Sequence, residues 1–165
     1  MRFLSTIAAG ILATVASAQE PITEPFFLTF VSKNGTEYPA TIGEASRGIK
    51  ILSAWTEYNQ KFAYDVETRR LSASDHPEWG PNVGIGASSP VLFTYEVEED
   101  AWLEQITLDG ATYIVEAGAG ENGPLGWNAP PAQGGMFNNV YWTGVGYMEA
   151  NVALRIDIEK PVRRH

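Results

Sequence analysis

The chain contains no cysteine. That excludes thiol nucleophiles, cysteine-based zinc centres and a disulfide scaffold, so the fold must rest on its own apolar core. Histidine is almost as scarce: the two copies are His76 and His165, the latter at the end of the tail, and no second internal imidazole exists for a triad or a histidine metal set. Basic residues are outnumbered, with 11 Lys and Arg against 20 Asp and Glu and a net charge of −9. A surface so acidic repels phosphate backbones and anionic lipid, which leaves no nucleic acid and no membrane among the expected partners. Nothing after Gln19 is long and apolar enough to span a bilayer. The chain also lacks GxSxG, and the Gly-rich pieces "GIGASS" and "GAGENG" neither carry a P-loop lysine nor open a helix.

The most specific feature present is the N-terminus. Arg2 is followed by the uncharged, largely apolar "FLSTIAAGILATVA" (Phe3–Ala16), and "ASA" at Ala16–Ala18 has the small-x-small pattern that fits a signal peptidase. Residues 1–18 are therefore expected to be a signal peptide, and the mature protein to be secreted, extracellular or in the cell wall. The sequon "NGT" at Asn34–Thr36 falls in an expected Asn-Gly hairpin turn, which makes Asn34 the candidate glycosylation site.

From there on the dominant period is two. "FFLTFVS" and "TEYPATI" flank Asn34-Gly35, with Pro39 expected to place the second arm at an edge or a bulge. "GIKILSAW" alternates Ile49, Ile51 and, less cleanly, Ala54. "KFAYDVETRRLSA" puts Phe62, Tyr64 and Val66 on one face, and the echo "FTYEVE" at Phe93–Glu98 does the same with Phe93, Tyr95 and Val97. "WLEQITL" and "ATYIVEA" flank Asp109-Gly110, a second hairpin signal. "NNVYWTGVGYM" and "NVALRIDIEK" close the chain, the latter with Leu154, Ile156 and Ile158 facing in. No window supports an amphipathic helix. The expectation is an all-β protein: a single antiparallel β-barrel or sandwich domain over 19–159 with two long Gly/Pro-rich loops, Ser74–Pro90 and Gly118–Gly135, and a flexible tail over 160–165.

Candidate chemistry is sparse. His76 lies between Asp75 and Glu78, a solvated loop arrangement more than a metal site. The acidic run "EVEED" (Glu96–Asp100) reads as a strand end in water. No acid/base pair is singled out by spacing, so no catalytic residue, cofactor or metal site is assigned and a non-enzymatic protein is expected. Trp79 and Trp127 stand in the two irregular loops. Such rings either stack against sugars and peptides or plug the fold beneath their loops. Trp79 and Trp127, with Asn82 and Asn128 beside them, are the ligand-binding candidates, while Trp55, Trp102 and Trp142 are assigned to core or rim.

In layout, carried by "FFLTFVSKNGTEY", "FAYDVETRRL", "LDGATYIVEA" and "GYMEANVALRIDIEK", the chain resembles the small secreted fungal surface proteins: the PhiA-type cell-wall proteins and the related hypersensitive-response-inducing elicitors. It departs from them in lacking cysteines. The resemblance implies a wall-associated, non-enzymatic protein of the elicitor kind, its partner cell-wall polysaccharide or a plant-host surface receptor. The rival expectation is a carbohydrate-binding module or a secreted enzyme acting on wall polysaccharide.

Overall fold

The computed structural model describes residues 20–46, 49–82, 91–95, 103–118, 123–129, 139–141 and 149–161. The expected leader, Trp102, Trp142, the Glu96–Asp100 run and most of "NNVYWTGVGYM" lie outside these residues. Among those described, the elements are β1 (Phe27–Ser32), β2 (Glu37–Ser46), β3 (Ile49–Ala54), β4 (Phe62–Asp65), β5 (Arg70–Ala73), β6 (Gly80–Asn82), β7 (Leu92–Thr94), β8 (Leu103–Leu108), β9 (Ala111–Glu116), β10 (Leu125–Trp127) and β11 (Val152–Asp157), with no helix. The protein is all-β.

Nine strands form one curled antiparallel sheet in the order β6-β7-β3-β2-β1-β11-β9-β8, with β10 added on β11. β4 and β5 form a separate hairpin that bridges the sheet's two edges. Toward β8, the Leu103 amide donates to the Arg69 carbonyl at 3.2 Å and the Tyr64 hydroxyl to the Leu103 carbonyl at 2.8 Å. Toward β6, the Ala73 amide donates to the Trp79 carbonyl at 3.3 Å. Phe26 and Phe62 exchange both backbone hydrogen bonds, at 3.0 and 2.8 Å, which ties the hairpin to the start of β1. The exposed edges that an open sheet would present are thereby met by backbone partners.

Side chains fill the interior. Phe26, Leu28, Phe30, Phe62, Phe93, Leu103, Ile114, Trp127 and Leu154 are all essentially inaccessible to water. Each contributes about 1.5–3 kcal/mol through burial of its apolar surface, which explains how a cysteine-free chain holds this fold. The Phe62 and Phe93 rings, the leading residues of the two echoed segments, meet edge-on with centroids 6.4 Å apart.

Several local expectations need correction. "KFAYDVETRRLSA" is a hairpin, not one strand. The Asp65 carboxylate accepts from the amides of Glu67 and Thr68 and turns the chain, so Val66 leaves the pleat and is exposed. The echo fails at the same place: β7 ends at Thr94, and Tyr95, expected in the core, is 55% exposed. β11 likewise ends at Asp157, which leaves Ile158 outside. In β3 the inward residues are Leu52 and Ala54, with Ile49 and Ile51 only half-buried; Lys50 shares the inner face, since it lies opposite buried Phe93. The two Gly/Pro-rich loops are interrupted by the short strands β6 and β10.

Pro39 sits in the sheet's interior, not on an edge strand. β2 pairs with β1 through Glu37, Tyr38 and Pro39, and with β3 from Ala40 onward. The residue without an N–H thus stands where the strand changes partners, and its carbonyl accepts from the Trp55 amide at 2.8 Å.

A strap crosses the outer face. Residues 55–61 run from β3 to β4 and are pinned in the middle by Tyr58. Its ring packs edge-on against Phe27, with centroids 5.9 Å apart, and its hydroxyl lies 2.6 Å from the buried Thr29 Oγ1. Thr29 Oγ1 donates to Asp157 Oδ2 at 2.5 Å, and Arg155 joins Asp157 (Nε to Oδ1, 2.9 Å) to Glu37 through a two-pronged contact at 2.5 and 3.1 Å. Five side chains from β1, β2, β11 and the strap therefore share one hydrogen-bonded network. Arg155 holds the Glu37 carboxyl below its ordinary value, and burial pushes the Tyr58 phenol up.

Candidate functional site

The four ligand-binding candidates do not converge. Trp79 leads into the edge strand β6, whereas Trp127 ends β10, which pairs with β11 on the far side of β3, β2 and β1. Trp127 is 1% exposed, and its indole Nε1 donates to the Ile114 carbonyl at 2.7 Å. Asn128 is engaged structurally: its Nδ2 donates to the Glu149 carbonyl, and its backbone bridges to Tyr141. Asn82 pairs with Leu92 at the sheet edge through its backbone. Trp79 is 3% exposed. Neither indole offers an open face to a ligand, and both belong to the buried core cluster.

What Trp79 does is support other groups. The Tyr95 ring rests against it at 3.9 Å between centroids and a 48° tilt, and Lys50 Nζ lies 4.6 Å from its ring centroid. Tyr95 follows β7, Lys50 lies on β3 and Trp79 precedes β6. The pairing Ile49–Thr94–Gly80 across these three strands brings the three residues to one rim. An ammonium over an indole gains about 0.5–2 kcal/mol, the more so as water is excluded, so Lys50 is held in place rather than left to sample solvent.

Acidic and polar groups surround this rim. The turn at Ser74–Glu78 closes through the His76 amide on the Ala73 carbonyl and the Trp79 amide on the His76 carbonyl. The exposed His76 Nδ1 lies 3.1 Å from Glu78 Oε1, which gives this imidazole a carboxylate partner. Arg70 donates to the Glu78 carbonyl at 3.1 Å. Asp75 accepts from the Gln60 amide at 2.8 Å, and that bond, aided by the charges of His76 and Lys50, keeps its carboxyl below the ordinary value. Glu78 is lowered too, first by a backbone hydrogen bond and then by His76 and Lys50. Among the described residues no three His, Asp or Glu side chains are grouped to hold a metal ion.

The rim thus combines an exposed aromatic face, a fixed ammonium and ionised carboxylates. An arrangement of that kind can stack the apolar face of a sugar ring while hydrogen-bonding its hydroxyls. Sequence reasoning found Trp79 but missed Tyr95 and Lys50. Alternation placed Tyr95 in the core, and the signal against that was the Glu-rich continuation, which does not prolong a buried strand. Trp55, at 50% exposure on the strap, is the one open tryptophan among the described residues.

No family model, curated protein or solved structure matches this chain. What the fold itself defines is an all-β, barrel-like domain with a filled interior.

Proposed function

We propose that this chain is a secreted, non-enzymatic surface protein associated with the cell wall, and that it engages wall polysaccharide through the Tyr95–Trp79–Lys50 rim. One observation carries the reading: Tyr95 is the exposed ring of an aromatic pair whose other member, Trp79, is buried, and Lys50 is fixed beside it. An exposed ring backed by a buried one is preorganised, so little side-chain entropy is lost when a sugar stacks on it. The interior is occupied by the protein's own aromatic side chains, which favours a surface site over an internal one. The resemblance to PhiA-type wall proteins and elicitors supports the same reading.

The test is retention of the purified mature protein on insoluble chitin, β-glucan and cellulose, beside Tyr95→Ala and Trp127→Ala. Retention on one polymer that Tyr95→Ala abolishes at unchanged thermal stability, while folded Trp127→Ala keeps it, is the expected result. No retention on any polymer overturns the polysaccharide reading and turns the search to a host surface receptor. Release of soluble sugar from the polymer overturns the non-enzymatic one.

A further inference from the structure

The Asn34 turn is built in a way that exposes its amide nitrogen. Ser32-Lys33-Asn34-Gly35 closes with the Gly35 amide on the Ser32 carbonyl at 2.8 Å, and Gly35 takes φ +81°. Three donors then converge on one oxygen: Ser32 Oγ at 2.5 Å, the Thr36 amide at 3.1 Å and Thr36 Oγ1 at 2.8 Å all reach Asn34 Oδ1. With the carbonyl end of the amide held inward, Nδ2 is the end directed away from the turn. Asn34, Gly35 and Thr36 are all exposed. An exposed turn is where a bulky, hydrated substituent is tolerated.

The turn also lies far from the rim. Lys33 donates its amide to the Asn151 carbonyl, Asn151 donates to the Trp127 carbonyl, and Lys33 is ion-paired with Glu149. The turn therefore belongs to the Trp127 end of the molecule. β2 begins beside it at Glu37 and ends at Ser46, which is paired with Ile49 beside Thr94 and the rim. Over the ten residues of β2, at about 3.3 Å each, the two ends are separated by about 30 Å.

We propose that Asn34 carries an N-linked glycan, and that this glycan covers the Trp127 end of the fold while leaving the Tyr95 rim free to bind. In the transfer, Asn34 Nδ2 forms a bond to the anomeric carbon of a lipid-diphosphate-linked oligosaccharide. The anomeric C–O bond breaks, the lipid diphosphate leaves with the bonding electrons, and one amide proton is lost to the transferase's base. The proposal rests on the secreted reading, because only an exported chain meets such a donor.

The experiment expresses the full chain in a eukaryotic secretory host and takes the protein from the medium. Intact mass, the N-terminal residue and the Asn34 peptide are read with and without an amide-cleaving endoglycosidase, beside N34Q and T36A. The expected result is a chain beginning at Gln19 whose mass falls on digestion, with Asn34 recovered as Asp and no shift in either variant. Glycosylated and digested protein should be retained equally by any wall polymer that binds. A chain beginning at Gln19 with an unmodified Asn34 peptide overturns the glycan and leaves secretion standing. A chain that retains residues 1–18 overturns the secreted reading and the glycan with it. Polymer retention that rises severalfold on digestion overturns the separation of the two ends.

Discussion

The hydroxyls of Tyr58 and Thr29 lie 2.6 Å apart beneath the strap, and Thr29 donates its own hydrogen bond to Asp157. Since Thr29 Oγ1 donates to the carboxylate, it must accept from Tyr58, so the order of the chain fixes every donor. Removing its two hydroxyls has unequal consequences. Tyr58→Phe deletes the terminal donor and leaves Thr29 bound to Asp157, at a cost of about 1 kcal/mol. Thr29→Val strands the buried phenol and leaves Asp157 Oδ2 only its longer contact with Arg155 Nη2 at 3.4 Å, which costs about 2–3 kcal/mol because an unmet buried group carries its full desolvation penalty. Urea midpoints of the two variants measure this. Equal losses would show that Thr29 is not the hub.

The same network fixes the sign of the acid response. Arg155 stabilises the charged form of Glu37 and lowers its folded value below 4.5. Its contribution is therefore present above the unfolded value and disappears as pH falls through the lower folded one. Tyr58 behaves oppositely: with its folded value raised above 10.0, its contribution persists below pH 10 and is lost as pH rises through the folded value. Between these limits neither group makes stability vary with pH. Glu37→Gln should flatten the acid limb of stability against pH, and added salt should shrink the wild-type limb, because Glu37 is nearly half exposed. An acid limb unchanged by Glu37→Gln would assign it to other carboxylates.

Trp127 serves as a test of plugging against binding. Its indole fills the core and satisfies the Ile114 carbonyl. Trp127→Phe removes that donor and part of the volume, which should cost about 2–3 kcal/mol. Polymer retention by the folded variant should not change. Lost retention at full stability would make this ring a contact instead.

Much of the fold was legible because period-two alternation and turn chemistry are local. β4, β5 and the second half of β11 alternate residue by residue, whereas β1 is buried on both faces, and buried Phe62 and Phe93 explain why two segments echo each other. The legible part stops at strand ends. Val66, Tyr95 and Ile158 continue an apolar alternation past the point where the ladder has no further partner, and pairing is a property of the neighbouring strand. The Asp65 turn escaped notice because its signal is a carboxylate capping two amides, without Gly or Pro. The rim was half visible for a related reason: Trp79 stood out by composition, but Lys50 and Tyr95 join it only through the pairing of β3, β6 and β7.

The Asp109-Gly110 turn shows local chemistry at its most legible, and it yields the sharpest stability contrast. Both residues take positive φ, 51° and 78°, between the paired Leu108 and Ala111, as a type I′ hairpin requires. Gly110→Ala forces a Cβ into the left-handed region and should destabilise by about 1–2 kcal/mol, although nothing lies within 4 Å to clash with it. Arg69 is the converse case, a side-chain-bearing residue at φ 53° in the β4–β5 turn. Arg69→Gly relieves that strain while making the unfolded chain more flexible, so the two effects oppose and the net change should stay within about 0.5 kcal/mol. Denaturant midpoints of the two variants, measured side by side, separate backbone strain from lost contacts. If Gly110→Ala is neutral, the turn's conformation is set by its flanking strands and not by its residues.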